Sequence, residues 1–135
     1  MELYRALKIS AAGMKVQGIR LRVAAENMAN ADSLPTAPGQ DPYRRKLVTF
    51  KNAMDREVGA EMVRVNKVFT DKSDFKLKYE PSHPAADERG YVQTPNVETL
   101  VEMMDLREAQ RSYEANLNVI ESSRSMLLQT LDIIR

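Results

Sequence analysis

The sequence predicts a mainly α protein with a small β-rich insert. Long N- and C-terminal helices would form an α-helical coiled-coil pair, with the β-rich segment between them. Three observations lead there. Pro95 to Arg135 has no internal Gly or Pro, and Met103, Leu106, Tyr113, Leu117, Ile120, Leu127, Leu131 and Ile134 fall on one seam of alternating three- and four-residue steps. A second, weaker heptad runs from Met1 to about Asn30. Between them lie short runs rich in Val, Thr and aromatic residues, punctuated by Pro and Gly. The expected division is 1–30 for the N-terminal helix, 31–94 for a loop and the insert, and 95–135 for the C-terminal helix.

Composition bounds this reading without deciding it. The 135 residues are 43% hydrophobic and 29% charged, as in ordinary soluble proteins. Twenty basic and 19 acidic side chains leave a formal charge of +1, so no overall field attracts nucleic acid or an anionic membrane. The absence of Cys excludes disulfides and thiolate metal sites. No apolar run approaches a membrane span, and the N-terminus lacks the basic, apolar, small-residue order of a cleavable signal.

The N-terminal heptad consists of Leu3, Leu7, Ser10, Met14, Gln17, Leu21, Ala24 and Met28. Ser10, Gln17, Gly13 and Gly18 lower its helix propensity and apolar area, so alone in water it should fray. Arg5, Lys8, Lys15, Arg20 and Arg22 on its polar face raise a membrane-surface or transit-peptide reading. The lack of Trp or Phe, together with Glu2 and Glu26, favours a partner helix instead. Asn30 stands where an Asn C-cap would end the helix.

Pro35, Pro38, Gly39 and Pro42 make residues 31–42 a loop. Strands are expected over 43–50, 62–69 and 75–79. In the third, Phe75, Leu77 and Tyr79 alternate with Lys76 and Lys78, the pattern of a half-buried strand. Residues 51–59 read as a short helix or a wide turn. Residues 80–95 read as irregular, with Tyr91 and Val92 as anchors.

The C-terminal helix has chemical start signals. Thr94 or Asn96 can cap it, Pro95 suits its first turn, and Glu98 and Glu102 favour its positive end. Gln110 and Arg124 interrupt the apolar seam. Ser112, Ala115 and Asn116 would let a second helix approach closely, with Asn116 setting register at a cost in stability. The uncapped end at Ile133 and Ile134 suggests a docked surface. Burial along both seams is small against the entropy of ordering two long helices, so the pair needs neighbours.

No catalytic set is recognisable. His83 is the only His and lies in a Pro-flanked loop, so no second His can join a metal cluster or relay. Asp55 with Glu57, and Asp87 with Glu88, read as solvated charges. Gly39 and Gly90 are isolated and match no phosphate loop. The run Tyr43-Arg44-Arg45-Lys46 reads as a solvated strand edge or a contact to an acidic neighbour, in preference to a nucleic-acid patch. Met103, Met104 and Met126 read as adaptable packing residues. No cofactor, metal, nucleic acid or small-molecule substrate is expected. Assembly and helix packing are assigned to Leu3, Leu7, Met14, Leu21, Met28, Asn27, Asn30, Met103, Leu106, Tyr113, Asn116, Leu117, Ile120, Leu127, Leu131 and Ile134.

Residues Ala25-Glu26-Asn27-Met28-Ala29-Asn30-Ala31-Asp32-Ser33 resemble the Asn-x-Ala-Asn signature of bacterial flagellar rod, hook and hook-filament junction proteins. Asp41 to Lys46, Tyr79-Glu80-Pro81, Pro84 to Asp87, Gly90-Tyr91-Val92, Pro95-Asn96-Val97, Glu102-Met103 and Arg111 to Asn116 resemble, in that order and spacing, the proximal-rod type of the basal-body rod family. The resemblance implies a non-enzymatic subunit of the rod, the shaft that crosses the periplasm and transmits torque to the hook. It implies terminal helices in an inner tube and an outward insert. It further implies export unfolded through the type III apparatus without a cleaved signal, self-association in the rod, and assembly with the rod subunits FlgB, FlgF and FlgG and the adaptor FliE. The competing expectation is a soluble coiled-coil adaptor that binds one partner helix.

Overall fold

The computed structural model describes residues 2–135, so the expected helix start at Met1 lies outside the described residues. The element order is α1 (Glu2–Ala29), β1 (Lys46–Asp55), β2 (Ala60–Thr70), β3 (Lys76–Tyr79), β4 (Tyr91–Thr94) and α2 (Thr99–Ile134). Two long terminal helices therefore flank a small β insert. Among the described residues no helix is long and apolar enough to cross a membrane.

α1 continues through Gly13 and Gly18 and ends at Ala29. Asn30 follows directly, and its backbone N–H (3.2 Å) and side-chain Nδ2 (2.9 Å) both donate to the Glu26 carbonyl. Ser33 Oγ donates in turn to the Asn30 carbonyl at 2.9 Å. This cap needs no left-handed residue, and no described non-Gly residue has a positive φ.

β1 and β2 form one two-stranded sheet. The ambiguous stretch 51–59 resolves into the end of β1 and a tight turn. Asp55 Oδ1 accepts from the backbone N–H groups of Glu57 (3.0 Å) and Val58 (3.2 Å), while Gly59 takes a φ of 68°. The Asp carboxylate thus closes the turn locally, and Gly supplies the conformation that an L side chain resists.

β3 and β4 form a second sheet, antiparallel, from Lys76↔Thr94 to Tyr79↔Tyr91. β4 was not among the expected strands. The half-burial expected for β3 is corrected as well, because Leu77 is 64% and Tyr79 is 65% exposed. With a single partner strand, the apolar side of β3 has little to pack on. Tyr79 instead meets Tyr91 edge to face, at 5.3 Å between ring centroids.

α2 begins at Thr99, four residues after the expected Pro95. Both candidate caps are engaged elsewhere. Thr94 Oγ1 donates to the Lys76 carbonyl, and the Asn96 side chain accepts from Arg45 N–H at 2.8 Å. Over its 36 residues α2 is about 54 Å long.

The chain divides into two compact units. Unit 1 comprises Met1–Leu21, Val48–Lys67 and Arg107–Arg135, and unit 2 comprises Arg22–Leu47 and Val68–Leu106. In unit 1 the buried residues are Ser10, Val16, Val58, Ala109 and Ser123. Its two helix segments run antiparallel, since Gly13 lies against Asn116 while Arg20 pairs with Glu108 at 3.3 Å. In unit 2, Val23, Ala24, Ala85, Val92, Pro95 and Val97 are buried together with the polar Asn27 and Glu102.

Candidate functional site

The most densely bonded place in unit 2 is built around Asn27. This side chain is 1% exposed and uses its full hydrogen-bonding capacity of two donors and two acceptor pairs. Nδ2 donates to the Lys46 carbonyl (2.9 Å) and to Glu102 Oε2 (3.2 Å). Oδ1 accepts from Tyr43 Oη (2.8 Å) and from Lys46 N–H (2.9 Å). One amide therefore joins the last turn of α1, the start of β1 and the first turn of α2.

Glu102 is also 1% exposed, and burial of a carboxylate requires partners. Its other oxygen accepts from Arg45 Nε. The Arg45 guanidinium additionally faces Asp105 at 3.6 Å and Asp71 at 4.0 Å. Lys46 Nζ pairs with Glu26. Arg45 and Lys46 of the basic run therefore meet acidic neighbours within their own chain. Burial, reinforced by the negative charges of Glu26 and Glu102, pushes the Tyr43 phenol from its ordinary 10.0 up to about 12. Arg44 extends the cluster by stacking on Phe75 at 4.1 Å from the ring centroid and by donating to the Asp71 carbonyl at 3.3 Å. The chemistry here is structural: Glu102 and Glu26 are paired with Arg45 and Lys46, and two helix roots are held to one strand.

A different surface dominates α2. Its inward residues recur every seventh position, with Glu102, Ala109 and Ser123 buried and Asn116 half-buried. These side chains are small or polar. On α1, Ser10, Ala24 and Asn27 are likewise buried, and a Cβ built on Gly13 would stand 2.7 Å from Asn116 Nδ2. The helices thus approach through small groups. Most large apolar side chains of α2 are exposed, among them Leu100, Met104, Leu117, Leu127, Leu128, Leu131, Ile133 and Ile134. From Arg124 to Ile134 every residue is exposed.

The residues assigned to assembly distribute as follows. Asn27 is buried. Leu3, Leu7, Met14, Leu21, Met28 and Asn30 on or next to α1 are half-buried, as are Leu106, Tyr113, Asn116 and Ile120 on α2. Met103, Leu117, Leu127, Leu131 and Ile134 are exposed, the last by 76%. Sequence reasoning missed the buried Val16, Val23, Ala109 and Ser123, and it placed Glu102 as a favourable end charge where the structure buries it against Arg45. Ala109 and Ser123 fall a heptad either side of Asn116, a signal that a search for large apolar residues passes over. His83 is a loop residue whose Nδ1 accepts from Ala85 N–H at 3.0 Å.

Comparison with known proteins bears directly on this arrangement. The flagellar basal-body rod protein FlgC of Agrobacterium fabrum (strain C58) is 49% identical over 133 residues, covering 98% of this chain and 96% of that protein. The chain belongs to the FlgC family of flagellar basal-body rod proteins. FlgC of Escherichia coli O157:H7 is 41% identical, with 98% of each chain covered. FlgC of Bacillus subtilis (strain 168) is 35% identical over 148 residues, covering 98% of this chain and 99% of that one. A protein-family model described as "Flagellar basal body rod FlgEFG protein C-terminal" matches residues 88–133, which take in β4 and nearly all of α2. As a FlgC-family member the chain is a structural subunit of the flagellar basal-body rod.

Proposed function

We propose that the chain polymerises through its terminal helices into the proximal rod, as one stave of the drive shaft that carries torque across the periplasm. The observation that carries this reading is the large apolar side chains of α2 exposed from Leu100 to Ile134, while its buried positions are Glu102, Ala109 and Ser123. A long helix stabilised mainly by tertiary packing does not leave such a face in water without an association to cover it. Leu117, Leu127, Leu131 and Ile134, with Met103 and Ile120, contact neighbouring subunits. Leu3, Leu7, Met14, Leu21, Met28, Asn27 and Asn30, with Leu106, Tyr113 and Asn116, hold the α1–α2 pair, which acts as a coiled-coil stave. Residues 1–30 and 95–135 form the rod core, and the β insert lies outward. The neighbours are further copies and the rod subunits FlgB, FlgF and FlgG, with FliE at the base. The chain reaches them unfolded through the type III apparatus without a cleaved signal, and it performs no catalysis.

The test is Leu127→Asp in cells lacking the native protein. Leu127 is exposed, so the isolated variant should keep its stability to within about 0.5 kcal/mol, as surface substitutions do. Rod formation, read by electron microscopy of basal bodies, and swimming should both be lost. Normal rods and motility would overturn the proposal, as would a closed dimer as the largest assembly of the native chain.

A further inference from the structure

Unit 1 carries two surface features of complementary chemistry. The first is a groove of about 560 Å³ between α1 and β2, lined by Val16, Ile19, Met62 and Val65 together with Lys15 and Arg64. Its volume is that of a cleft able to take a small molecule or a few side chains. The lining contains two cations and no acid. Arg64 reaches Asp55 at 3.5 Å, whereas Lys15 is exposed and has no ion-pair partner among the described residues.

The second feature is the end of α2. Leu127, Leu131 and Ile134 follow the i, i+4, i+7 spacing of one helical stripe, and all three are exposed. Asp132 is the one charged side chain between Arg124 and Arg135. The stripe therefore presents an apolar ridge with a single negative charge beside it. The groove presents an apolar floor with positive charge.

We infer that the C-terminal turns of α2 of one molecule seat Leu131 and Ile134 in the α1–β2 groove of a second copy, with Asp132 paired to Lys15. The occupant comes from another molecule because α2 is one uninterrupted helix without Gly or Pro and cannot turn its end back onto its own groove. Groove and ridge are different surfaces, so the contact is head to tail and leaves a free groove and a free ridge at the ends of any chain of subunits. Such a heterologous contact propagates, closing only if the rotation between copies closes a ring. The inference rests on the rod reading and names the contact between copies within it.

The chain has no Cys, so introduced thiols report one contact each. Val65→Cys and Leu131→Cys, carried by separate molecules in the same cells, should form an intermolecular disulfide in isolated basal bodies. Independently, Lys15→Glu or Asp132→Lys alone should weaken self-association of the purified chain roughly threefold to fivefold, as measured by sedimentation, and the double reversal should restore it. Both charges are exposed, so these variants should fold as the native chain does. Native association in the single reversals would overturn the inference. So would the absence of the disulfide in basal bodies that contain both Cys variants, or a disulfide to a different protein. The rod reading fails by another observation: absence of the native chain from the basal bodies of swimming cells.

Discussion

Asn27→Ala is the substitution that most directly probes how unit 2 is held together. It removes four hydrogen bonds at a site 1% exposed and leaves Tyr43 Oη, Lys46 N–H, the Lys46 carbonyl and Glu102 Oε2 each short of a partner. An orphaned buried polar group costs about 1 to 3 kcal/mol, and water entering the small cavity will recover part of that. The four losses are coupled through one side chain and do not add, so the expected destabilisation is about 3 to 5 kcal/mol. Urea unfolding followed by circular dichroism and tyrosine fluorescence reads it. At a slope of about 2 kcal/mol per M the midpoint should fall by roughly 2 M. Asn27→Asp keeps the shape but sets a second carboxylate where Nδ2 now lies 3.2 Å from Glu102 Oε2. It replaces a donor to Glu102 by a second acceptor there, so it too should destabilise in the same unfolding measurement. A loss under about 1 kcal/mol for Asn27→Ala would refute the reasoning, because it would mean that water replaces all four bonds.

Three further outcomes follow from the geometry. Gly18 has open space around a built Cβ, so Gly18→Ala should stabilise by about 0.5 to 1 kcal/mol; Gly13→Ala must displace Asn116 from 2.7 Å and should gain clearly less, both by thermal unfolding. Gly90 has a φ of 85° and a built Cβ would meet the Tyr79 ring at 2.9 Å, so Gly90→Ala should destabilise by about 1 to 3 kcal/mol, with loss of amide protection in β3 and β4 as the local readout. Because the folded state holds the Tyr43 phenol neutral up to about 12 against an ordinary 10.0, its contribution is intact below pH 10 and is lost as the pH rises from 10 through 12; Tyr43→Phe should flatten that alkaline decline in a pH series of unfolding midpoints.

Much of the fold was legible because helix and strand periodicities are local properties. The Gly- and Pro-free run after Pro95 marks α2, and the weak heptad before Asn30 marks α1. β4 was not legible, since four residues with one buried side chain carry almost no periodic signal. The start of α2 was misread for a related reason. Thr94, Pro95 and Asn96 match a helix N-terminus by residue type, yet Asn96 is taken by the Arg45 N–H and by Ser73, partners that no local pattern names.

The sequence by itself determined the class, the two terminal helices, the apolar stripe of α2 and the signature around Asn27, because each is written in neighbouring residues at helical spacing. Only the tertiary structure decided which face of each helix turns inward. The apolar stripe, the first choice for a core, stays largely exposed, whereas Ser10, Ala109 and Ser123 are buried and Gly13 lies against Asn116. The physical reason is reach. Small side chains let two backbones come close enough for hydrogen bonds such as Asn27 to Glu102, whose partners are 75 residues apart. Periodicity can say that a face is apolar but not what will cover it.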